Sequence, residues 1–127
     1  MNLLLIDKQG LATYAREEIL RDHFHHHVDY VFTLEDFKAK FAVGRYNIVI
    51  VDFALEAGKK ALELIDSLDP KQRIIILSAS DDYSEHKGCA YCVEHHNRRR
   101  LKEPVSIAEL GNLIKNFDYT TCAHYHE

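Results

Sequence analysis

Two groups of residues carry side chains that could do chemistry. The first is rich in thiols and imidazoles. Cys89 and Cys92 are followed by His95 and His96, and the end of the chain adds Cys122, His124 and His126. Cys-x-x-Cys is the common spacing of a zinc half-site, and on a helix Cys89, Cys92 and His96 share one face at i, i+3 and i+7. A Cys3His site is expected from Cys89, Cys92, Cys122 and His96, with His95, His124 and His126 as alternative fourth ligands. Zinc is the default metal for such a set and an iron–sulfur cluster the second option. The competing readings are ordinary reduced cysteines beside surface histidines, or a redox Cys-x-x-Cys pair. Closed tetrahedral ligation leaves no position for a substrate, so a metal here would be structural.

The second group lies where short apolar runs end. Asp7 and Lys8 follow LLLI, Asp52 follows IVIV, Ser78 follows IIIL, and Lys102 and Glu103 precede Pro104. A further set, His23, His25, His26 and His27, closes a helical stretch, where imidazoles complement the helix dipole.

These positions depend on the elements that hold them. Leu3–Ile6, Val28–Phe32, Ile48–Val51 and Ile74–Leu77 are continuously apolar rather than alternating, which implies strands buried on both faces, as in a parallel sheet covered by helices. Arg98–Leu101 is too basic for a central strand and suits an edge. Between the runs, Leu11–Phe24 places Ala12, Ala15, Ile19 and Leu20 near one face, Leu34–Phe41 has Leu34, Phe37 and Phe41, and Ala57–Leu68 has Ala61, Leu62, Ile65 and Leu68. A last helix is announced by Ser106 and Glu109 as a capping box ahead of Ile107, Leu110, Leu113, Ile114 and Phe117. The expected fold is a doubly wound α/β domain, flavodoxin-like, with a five-stranded parallel sheet in the order 2-1-3-4-5 and helices on both faces. Functional groups then gather at the carboxyl ends of the strands. The domain spans 1–117, and a Cys/His tail over 118–127 packs on or near it. In this topology the segment before the fifth strand and the end of the last helix both lie at the amino-terminal edge of the sheet, so the two halves of the proposed Cys3His site are neighbours.

The stretches LLLIDKQ, IVIVDF, IIILSAS and LKEPVSIAEL resemble the receiver domain of two-component response regulators, from Met1 to about Phe117. The resemblance implies that Asp52 is the phosphoacceptor, that Asp7 helps to hold a divalent cation, and that Ser78 and a lysine bind phosphoryl oxygens. A carboxylate nucleophile, a charge-neutralising cation and two donors make a coherent phosphoryl-transfer site. The sequence departs from the family pattern at two of these positions. Lys8 stands where a second metal-binding carboxylate is usual, so magnesium binding is expected to be weak or absent, and its ammonium could supply the missing charge beside Asp52. The residue before Pro104 is Glu103, with Lys102 displaced by one position. Such a slip turns a strand side chain to the other face unless a bulge restores it.

The chain has 127 residues, 46% of them apolar, and 20 acidic against 16 basic residues give a net charge of −4. That suits one self-sufficient domain and argues against general affinity for nucleic acid or anionic lipid. With no signal-like or membrane-spanning apolar run and an odd number of cysteines, the expected location is the cytoplasm. The expected function is an atypical stand-alone receiver, not a turnover enzyme. It would act through contact with a regulatory protein, a histidine kinase or a downstream effector, with weakened or absent phosphorylation and a structural zinc. The alternative is a metal- or redox-responsive binding module on the same scaffold. The partner and the oligomeric state are not specified by the sequence.

Overall fold

A computed structural model describes residues 1–78 and 97–117. The elements are β1 (Asn2–Ile6), α1 (Leu11–Asp22), β2 (His27–Val31), α2 (Leu34–Lys40), β3 (Ile48–Asp52), α3 (Glu56–Leu68), β4 (Ile74–Ser78), β5 (Arg98–Lys102) and α4 (Ile107–Lys115). All strand pairs are parallel, in the order β2-β1-β3-β4-β5, as the apolar runs predict. Cys89, Cys92, His95, His96, Cys122, His124 and His126 lie outside the described residues.

Strand alternation sorts the core into two layers. Leu4, Ile6, Val49, Val51, Ile74 and Ile76 meet Phe37 of α2 and Ala61, Leu62 and Ile65 of α3. Leu3, Leu5, Ile48, Ile50, Ile75 and Leu77 meet Leu20 of α1 and Leu110, Leu113 and Ile114 of α4. Local signals set the helix starts. The Thr33 hydroxyl accepts the Asp36 N–H at 3.1 Å, and Ser106 and Glu109 form a reciprocal capping box.

Two helices differ from the sequence pattern. In α1 the inward residues are Thr13 and Leu20, with Arg16 partly covered on the same i, i+3, i+7 row, whereas Ala12 and Ala15 are exposed. Alanine has too little apolar surface to fix a helix phase, and the larger Leu20 decides it. In α3, Ala61, Leu62 and Ile65 are buried as expected, but Leu68 is 54% exposed at the helix end.

The basic edge strand is more buried than its composition suggests. Arg98 is 5% exposed and pairs with Asp66 of α3. Its guanidinium pKa is drawn down to about 10 by burial. Arg99 lies 4.5 Å over the Phe117 ring and donates to the Phe117 carbonyl at 3.1 Å. Arg73 approaches the same ring at 5.9 Å. Asn97 donates to the carbonyls of Pro70, at 3.1 Å, and Gln72. The start of β5 and the end of the last helix are thus gathered around residues 70–73, at the amino-terminal edge of the sheet. Among the described residues, no helix is long and apolar enough to cross a membrane.

Candidate functional site

The carboxyl ends of β1, β3 and β4 bring Asp7, Asp52 and Ser78 to one end of the sheet, all nearly inaccessible at 2%, 1% and 2% exposure. Asp52 is the last residue of β3, and its Oδ1 accepts the Ala54 N–H at 3.0 Å, which shapes the turn into α3. That helix comes so close that a Cβ on Gly58 would lie 2.1 Å from the Asp52 carbonyl oxygen. Only glycine fits under Asp52 without moving one of the two backbones.

Asp7 is the most heavily constrained group. Its Oδ1 accepts the Lys8 N–H at 2.8 Å and its Oδ2 accepts from Arg16 Nη1 at 2.5 Å. Its carboxyl adjoins that of Asp52 closely enough for a proton to be shared between them. Burial first, and then the adjoining Asp52 carboxyl and its charge, push the Asp7 pKa up to about 6, against the opposing pull of the Lys8 N–H and Arg16. Two adjacent buried carboxyls favour retaining one proton between them.

The cation that answers this pair comes from α1. Arg16, 15% exposed, reaches Asp7 with one nitrogen and lies 3.9 Å from Glu103 Oε2 with the other. Asp7, Lys8, Thr13, Arg16, Glu103 and Pro104 line a cleft of about 410 Å³. Arg16 escapes sequence reasoning because no apolar run marks it. The available signal is its place one turn from Thr13 and one turn before Leu20, on the inward row of α1.

Lys8 lines the cleft but its side chain is exposed, and none of the ion pairs among the described residues is made by it. Its backbone is fixed by the Tyr30 hydroxyl, which donates to the Lys8 carbonyl at 3.0 Å. β5 runs in unbroken register from Ile74↔Arg98 to Ser78↔Lys102, so no bulge returns Lys102 to the cleft. Lys102 is exposed, and Glu103, whose N–H donates to the Ser78 carbonyl at 2.9 Å, lines the cleft instead. Asp7, Asp52 and Ser78 are therefore brought together, Lys8 stands at the rim, and Lys102 is exposed and outside the cleft lining.

A small divalent cation prefers six oxygen ligands in near-octahedral array. Here Asp7 Oδ2 is already taken by the Arg16 guanidinium, and among the described residues no three His, Cys, Asp or Glu side chains are placed to hold a metal ion. As arranged, these residues do not fit magnesium.

No protein-family model matches the chain, and no curated protein is significantly similar to it. Solved structures are similar in fold. The receiver domain of the sensor histidine kinase PA1611 from Pseudomonas aeruginosa PAO1, with magnesium in its active-site cleft, superposes with a TM-score of 0.72 at 20% identity, over 94% of this chain and 98% of that one. A CheY-like receiver from Methylobacillus flagellatus gives 0.70 at 17% identity, over 91% and 97%. A member of a family of streptococcal redox sensors evolved from two-component response regulators gives 0.69 at 18% identity, over 90% of this chain and 49% of that one. With its sheet in the order β2-β1-β3-β4-β5 and these neighbours superposing across nearly its whole length, the chain has the fold of a response-regulator receiver domain.

Proposed function

We propose that the chain is a receiver module of two-component signalling, acting by contact with a regulatory protein such as a histidine kinase or downstream effector, rather than a turnover enzyme. The observation that carries this reading is the buried meeting of Asp7, Asp52 and Ser78 at the ends of β1, β3 and β4. Asp52 is the candidate phosphoacceptor, and its reactivity is low. A phosphoryl group entering here would need cationic and hydroxyl donors around it. Lys102 does not line the cleft, Asp7 is engaged by Arg16, and Glu103 adds negative charge to the cleft. Acetyl phosphate with magnesium should label the protein slowly, and Asp52→Asn should remove the label. Rapid labelling would show the phosphate route at full strength, and label surviving in the variant would take the role from Asp52.

A second reading, a metal- or redox-responsive binding module on this scaffold, is favoured by the amino-terminal edge. The segment carrying Cys89, Cys92 and His96 rejoins the sheet at Asn97, and the tail carrying Cys122 leaves at Phe117. Both points are tied to residues 70–73 and to each other by Arg99. The streptococcal redox sensors offer a precedent for the fold. Protein purified without a histidine tag or chelator should carry about one zinc per chain, lost in Cys89→Ser or Cys122→Ser. Metal-free native protein with three freely titrating thiols would end the metal-dependent form of this reading.

A further inference from the structure

The carboxyl pair of Asp7 and Asp52 is buried where two parallel strands end, and such a pair needs positive charge or a proton to be stable. A magnesium ion could supply that charge, as in the similar receiver from Pseudomonas aeruginosa, whose cleft holds one. In this chain the position is contested from inside the fold. Arg16 projects from the second turn of α1, with Nη1 2.5 Å from Asp7 Oδ2 and Nη2 3.9 Å from Glu103 Oε2. A planar guanidinium between two carboxylates is a fixed, permanently charged bridge, because it does not deprotonate in water and its fork suits carboxylate oxygens. The Asp7 carboxylate and the Glu103 backbone are held independently of it. Asp7 is fixed through the Lys8 N–H at 2.8 Å, and the Glu103 backbone through the Ser78 carbonyl at 2.9 Å. The cation therefore enters a socket that β1 and the end of β5 build for it.

We infer that the Arg16 guanidinium is the resident cation of this site, bonded to Asp7 and facing Glu103 in place of a divalent ion, so that the site holds its charge balance without magnesium. This rests on reading the cleft as a receiver-type site and identifies what controls its occupancy. Metal entry would require Arg16 to leave Asp7, exchanging one cation for another. Replacing the guanidinium by a neutral side chain of similar reach vacates a carboxylate oxygen and removes the repulsion that a second cation would meet.

The test titrates magnesium chloride alone into the full chain at fixed ionic strength, using wild type, Arg16→Gln and Arg16→Met, each first checked for a cooperative thermal transition. Wild type should show no saturable heat. Both variants should bind at least about tenfold more tightly than wild type, and magnesium should raise their melting temperature only. The second readout needs no variant: the Arg16 side-chain NMR signals of wild type should stay unmoved as magnesium is added. Saturable binding to wild type as tight as to the variants, or no gain in either folded variant, overturns the inference. A saturable shift of the Arg16 signals would do the same. Metal occupancy is read here apart from labelling of Asp52, so this inference and the signalling reading can fail separately.

Discussion

Asp7 gives the sharpest test at the scale of one residue. Its pKa in the folded chain stands near 6, against the ordinary 3.8 of an aspartate carboxyl, raised chiefly by burial. Between those values the folded state binds more proton than the unfolded one. The contribution of Asp7 to stability is therefore fully present below about pH 4 and is lost as pH rises through about 6. The expected size is on the order of 3 kcal/mol, since one unit of pKa is worth about 1.4 kcal/mol. Asp7→Asn, which keeps the shape without a titrating carboxyl, should flatten this segment of the curve. Urea unfolding at a series of pH values measures it, and an unchanged slope in the variant would assign the effect elsewhere. Asp7, Asp52 and Ser78 were legible in the sequence because each ends an apolar run, and a parallel sheet aligns such ends. Arg16 was not, because its role depends on which side of α1 faces inward. Lys102 and Glu103 differ by one position, and only the register with β4 decides between them.

At the scale of elements, two glycines fix how closely helices approach their supports. A Cβ on Gly58 would meet the Asp52 carbonyl oxygen, which is backbone, whereas one on Gly111 of α4 would lie 2.6 Å from Cζ of Phe24, a ring that can turn. Alanine improves helix propensity by about 1 kcal/mol at either site, but forced repacking costs about 1–3 kcal/mol. Gly58→Ala should therefore destabilise clearly, while Gly111→Ala should come closer to neutral. Denaturation midpoints compare them, and equal losses would show that the backbone of α3 yields as easily as the Phe24 ring. The strands were legible from their apolar runs, and the capping box of α4 from Ser106 and Glu109. The face of α1 was misjudged on two small alanines. The basic run in β5 looked like a solvated edge, but the arginine stems pack while the heads find Asp66 and Phe117.

For the molecule as a whole, the two ends of the sheet make distinct claims that one exchange experiment separates. If phosphate is the input, a beryllium fluoride adduct should change amide exchange around Ser78 and 98–102, and Asp52→Asn should abolish the response. If metal or thiol state is the input, chelation should loosen the chain near Asn97 and Phe117, with the response intact in Asp52→Asn. The expected pattern is the second, because Arg16, Glu103 and the absence of Lys102 from the cleft lining all weigh against the first. A ligand shifts such an equilibrium only through its different affinities for the two states, so silence to chelation and thiol oxidation alike would remove that input. The strand order also governs how the chain can be made. The first four strands, β2-β1-β3-β4, are adjacent in the sheet and all come from residues 1–78, so they can pair before the last strand has left the ribosome. Until then β4 presents Ile74–Leu77 as an unpaired apolar margin, the kind of surface on which nascent chains associate wrongly. The three arginines of β5 close that margin in the finished protein. Substitutions that weaken the pairing of β5 with β4 should prolong that exposure and lower the soluble yield during synthesis.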